Sequence, residues 1–132
     1  MTKSGSHSRN AMEYTSIVTK ESQACPGVRF RVRRLSLARR MELVKQIREA
    51  GRALEFHAAG NGIDDAVEAA SIRAAVDAIY MRWGIEAIEG LTIDGAPACV
   101  ETMIASGPDG LAREMAEAVH AELFLSENER KN

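Results

Sequence analysis

Aromatic residues are scarce in this chain: they fill 5% of its 132 positions, with one tryptophan. Aliphatic side chains and alanine must therefore do most of the packing. Cysteine is scarcer. Cys25 and Cys99 lie far apart, form no CxxC pair, and make no zinc spacing with the three histidines. They read as free thiols in a reducing compartment. No run of about 18 apolar residues occurs, so no membrane-spanning helix is expected. The opening MTKSGSHSRNAM lacks the apolar stretch of a secretory signal. The expected location is the cytoplasm.

Catalytic motifs are missing too. There is no GxSxG, HExxH or P-loop. The GNG at residues 60–62 is not followed by the glycines of a dinucleotide fingerprint and reads as a helix stop. His57 and His120 have no partner at a ligand spacing. Asp64, Asp65 and Glu68 could be pictured as paired carboxylates, but a helix start already accounts for them. The expectation is no catalytic residue, no metal ligand, no cofactor and no enzyme activity.

What is present is an ordinary globular balance, 45% hydrophobic and 27% charged, in a length that suits one domain. Residues 1–12 read as a flexible leader, 13–125 as a single domain and 126–132 as a frayed polar tail. Net charge is −2, but it is segregated: +7 over residues 1–60 and −9 over 61–132. Such a layout implies a partner of opposite sign, attraction between the two halves, or self-association.

Element signals are readable along the chain. Glu13–Lys20 has β character, Pro26-Gly27 punctuates a turn, and Val28–Arg34 alternates apolar and basic residues. Together they predict an N-terminal β-hairpin. Ser36 can cap a helix whose stripe is Leu37, Met41, Val44, Ile47, Leu54 and Ala58, widened by Leu43 and Ala50. Gly60 and Asn61 stop it. A second helix opens at the acids and carries Val67, Ala70, Ile72, Val76, Ile79, Tyr80 and Trp83, which predicts an antiparallel helical hairpin. Gly84 ends it. Ile85, Leu91 and Ile93 then suit strand positions, and Asp94-Gly95 signals a turn. A short helix is predicted over 98–105. A last helix begins at Pro108-Asp109, with the stripe Leu111, Met115, Val119 and Leu123. The fold class is α+β, dominated by helices.

Gly27–Arg40 packs six arginines into fourteen residues without an acid. On the strand, Arg29, Arg31 and Arg33 share the polar face. Arg39 and Arg40 fall in the first turn of the helix, where positive charge opposes the helix dipole by about 0.3–1 kcal/mol. These five are the candidate partner-binding residues. A nucleic-acid-binding regulator is the alternative reading, since arginine dominates phosphate contacts. Against it stand the net acidity, the lack of aromatics interleaved for base stacking, and the absence of a zinc-finger or RNA-binding signature.

The segment WGIEAIEGLTIDGAPACVETMIASGPDGLAREMAEAVHAE, residues 83–122, resembles the tail assembly chaperones of long-tailed phages and prophages. Trp83, Glu89-Gly90, Asp94-Gly95 and Pro97 carry the match: a helix ending in tryptophan, an "EG" strand, and a D-G-x-P turn followed by two helices. The basic hairpin leading into a long helix also looks like small prophage proteins of that neighbourhood, which extends the match to about residues 13–125. The resemblance implies a non-catalytic assembly factor that binds the tape measure protein and recruits tail tube subunits.

Overall fold

The computed structural model describes residues 11–60 and 62–131. Residues 1–10 of the expected leader lie outside them. The chain runs β1 (Ile17–Glu21), β2 (Arg29–Arg33), α1 (Leu37–Ala58), α2 (Ile63–Gly84), β3 (Ile85–Glu89), β4 (Thr92–Ile93), β5 (Ala96–Pro97), α3 (Val100–Ser106) and α4 (Asp109–Lys131). This is a helix-dominated α+β fold with a three-stranded antiparallel sheet, order β1-β2-β3, and a separate two-stranded ribbon.

The hairpin forms, with Ile17 opposite Arg33 and Glu21 opposite Arg29. Only the second half of the Glu13–Lys20 segment joins it. Its connecting loop is held by local bonds: the Ser22 amide donates to the Val28 carbonyl at 2.8 Å, and the Val28 amide to Cys25 at 3.1 Å. Gly27 turns with φ 95°. The Glu114 carboxylate of α4 accepts from the Ser22 hydroxyl at 2.6 Å and from the Gln23 amide at 2.7 Å, which pins the loop to the last helix.

Strand β3 pairs with β2, so β2 is central. Alternation along β2 buries Phe30 and Val32 and turns the arginines outward. Opposite them, Ile88 faces Phe30 and Ile85 faces Val32. The register slips between Arg31 and Val32, leaving Glu86 as an extra residue on β3.

Sheet and helices share one core. Val28, Phe30, Val32, Leu43, Met81, Met103, Leu111, Met115 and Val119 are its centre. Each such side chain contributes roughly 1.5–3 kcal/mol on burial, and aliphatic and methionine side chains outnumber aromatic ones, as the composition demanded. The α4 stripe reads as expected: Leu111, Met115 and Val119 are fully buried. Helix α4 continues to Lys131, past the point where the polar tail was expected to fray. The sequence there, SENERK, holds no glycine or proline to break a helix.

The first-helix stripe needs correction. Leu37 and Met41 are 64% and 67% exposed, while Leu43 is fully buried and Ile47 packs on the core. The buried face of α1 is centred on Leu43, not on the line from Leu37. Helix α1 packs chiefly on α2, and its covered face meets the common core at Leu43.

Candidate docking surface

The arginine-rich stretch divides in two. Ser36 accepts from the Arg39 amide at 3.3 Å, so the helix begins where the cap was expected. Before it, each strand arginine meets a carboxylate of β3. Arg29 lies 3.2 Å from Glu89, and Glu86 lies 3.4 Å from Arg33 and 3.9 Å from Arg31. The register slip brings Glu86 between its two arginines. Arg34 reaches Glu122 of α4 at 3.5 Å, and the Glu122 side chain is only 8% exposed. The positive half is thus answered, on this sheet, by the chain's own negative half.

Beyond the cap, Arg39 stacks over the Trp83 ring at 4.7 Å and donates to the Trp83 carbonyl at 3.5 Å. This cation–π contact gives the lone tryptophan a role at the junction of both long helices. The Nε atoms of Arg39 and Arg40 are covered without a hydrogen-bond partner. Arg40, Met41, Val44, Lys45 and Arg48 line a shallow, open depression on α1. Among the described residues, no carboxylate forms an ion pair with Arg40, Lys45 or Arg48.

The motif residues build local geometry. Gly90 adopts φ 82° and sits on the Gly27 carbonyl, where a Cβ would collide. Asp94 and Gly95, at φ 51° and 84°, form the two-residue turn of the β4–β5 ribbon, with Ile93 opposite Ala96 and Thr92 opposite Pro97. Pro97 closes β5. Arg82 at the end of α2 forks onto Glu101 of α3 at 2.8 and 3.1 Å. Cys99 precedes α3, where the Thr102 amide and hydroxyl hold its thiol below the usual range. Cys25 and Cys99 are both free.

The feature that sequence reading missed is an arm. Helices α1 and α2 each run 22 residues, about 33 Å at 1.5 Å per residue. Helix α4 covers only the C-terminal part of α2: Val119 lies against Gly84, His120 meets Tyr80 edge-on at 5.5 Å, and Asp77 faces Arg113 and Glu117. Burial pushes the Asp77 carboxyl up, with the Arg113 charge pulling it the other way. On that same helix face, four and three residues apart, Ala74, Ala70, Val67 and Ile63 continue outward and are exposed, Val67 by 63% and Ile63 by 82%. With Leu37 and Met41 on α1, the arm carries apolar side chains in water at both ends. The signal was in the sequence, since two apolar lines on α1 compete for one neighbour.

Among the described residues, no group of three His, Cys, Asp or Glu side chains could hold a metal ion, and no helix is long and apolar enough to cross a membrane. No family model matches the chain, and neither a curated protein nor a solved structure is significantly similar to it.

Proposed function

We propose that this chain is a non-catalytic assembly factor of a phage or prophage tail module, acting by binding another tail protein, the tape measure or tail tube protein. The observation that carries the binding part is the arm: Leu37, Met41, Ile63 and Val67 stand in water on long helices. Exposed apolar side chains on a preformed helical surface suit an elongated protein partner better than a small substrate. The tail module comes from the resemblance over residues 83–97, whose glycines and turn have structural work to do here. Cations of α1 beside the apolar side chains would steer and orient an acidic partner.

The nucleic-acid reading is weaker with the strand arginines engaged by Glu86 and Glu89. Phosphate would have to displace those carboxylates. Co-expression with the tape measure and tail tube proteins of the same locus tests the proposal. A stable complex that survives purification supports it. Failure of the folded chain to retain either protein removes it, and a gel shift at low salt that collapses with added salt would favour nucleic acid instead.

A further inference from the structure

The arm has two exposed apolar faces, and their flanking charges are opposite. At its base, Leu37, Met41 and Val44 stand beside Arg40, Lys45 and Arg48. At its tip, Ile63 and Val67 stand beside Asp64 and Glu68, in the acidic opening of α2. Glu42 and Glu49 fall on the other flank of α1, away from Leu37 and Val44 by helical periodicity. Leu37 and Met41 at the start of α1 and Ile63 and Val67 at the start of α2 lie toward opposite ends of the antiparallel hairpin, so one copy cannot bring these apolar patches together.

We propose that a second copy of this chain covers the arm, with the two helical hairpins packed antiparallel about a two-fold axis. The basic apolar base of each then meets the acidic apolar tip of the other. A two-fold arrangement makes both contacts at once and closes the assembly. A parallel arrangement sets base on base and tip on tip, placing like charges together. The inference rests on reading the arm as a protein-binding face. It names the occupant in the absence of a tail partner.

The test is sedimentation of the purified full chain, alone, over a range of concentrations. The wild type forms a dimer that weakens with added salt. Lys45→Glu with Arg48→Glu weakens it by about tenfold or more, and so does Asp64→Lys with Glu68→Lys, since each set places like charges at both contacts. Combining all four substitutions in one chain restores opposite signs and brings the dimer back to within about threefold of wild type. All four positions are exposed, and circular dichroism checks each variant's fold. A monomer at about 100 μM, far above typical specific affinities, overturns the proposal. So does a dimer that neither swap weakens, or one that the combined variant fails to restore. None of these outcomes depends on a tail protein, so loss of the dimer and loss of tail binding are read separately.

Discussion

At the scale of single residues, burial decides which ion pairs matter. Glu86 serves two arginines, yet it lies at the surface, where such pairs contribute about 0–1 kcal/mol. Glu122 serves one, but its carboxylate is nearly covered. Removing Arg34 leaves that carboxylate without its ion pair, at a cost of roughly 1–3 kcal/mol. Urea denaturation should therefore show Arg34→Ala clearly more destabilising than Glu86→Ala. Equal losses would mean that the buried partner does not set the scale. Asp77 gives a pH expectation. Its folded-state pKa is raised by burial, so the charged form is disfavoured in the folded protein. The resulting penalty is absent below the unfolded pKa and develops as pH rises through the folded one. Asp77→Asn should raise the melting temperature at pH 7 and leave it nearly unchanged at pH 3. A fall at pH 7 would show that attraction to Arg113 outweighs burial.

At the scale of elements, the sequence was legible wherever a local rule governs. Ser36, Asp94-Gly95 and the Leu111–Met115–Val119 line each specify their element through neighbours within a few residues. The first-helix stripe failed for a physical reason. Leu37-Met41-Val44 and Leu43-Ile47-Ala50 both satisfy helical spacing, and the predicted stripe took residues from both: Leu37 and Met41 are exposed, while Leu43 is in the core and Ile47 packs on it. The pairing of β3 with β2, and the slip that places Glu86, depend on contacts more than fifty residues apart and leave no local trace. Helix packing supplies the next expectation. Gly84 touches Val119 so closely that a Cβ has no room. Gly84→Ala should cost about 1–3 kcal/mol through displacement of α4, although alanine is the better helix former. Thermal unfolding checks it, and a neutral or stabilising effect would show that α4 can move away freely.

At the scale of the whole molecule, two features stand apart: a sheet whose charges are settled internally and an arm whose apolar faces are not. The charge segregation visible in the sequence becomes a division of labour. The strand arginines hold the acidic second half, and the cations of α1 remain available. Sequence reading placed the binding residues on Arg29, Arg31, Arg33, Arg39 and Arg40 together. The structure pairs the strand arginines with Glu86 and Glu89 and exposes Leu37 and Met41, two residues of the expected core stripe; the proposed docking face is therefore the α1 end of that stretch with Leu37 and Met41. Their exposure goes with helix α1 packing chiefly on α2 through its other face.

For the proposed assembly role, the most direct measurement is co-purification of the chain with a phage tape measure or tail tube protein, comparing three forms. Wild type should be retained. Met41→Asp with Val67→Asp, both at exposed arm positions, should lower retention by about tenfold or more while circular dichroism is unchanged, as for loss of central anchors. Arg31→Gln, on the internally paired sheet face, should bind as wild type does. Retention unaffected by the arm substitutions and abolished by Arg31→Gln would contradict docking through the arm, and no retention of the folded wild type would contradict the assembly role itself.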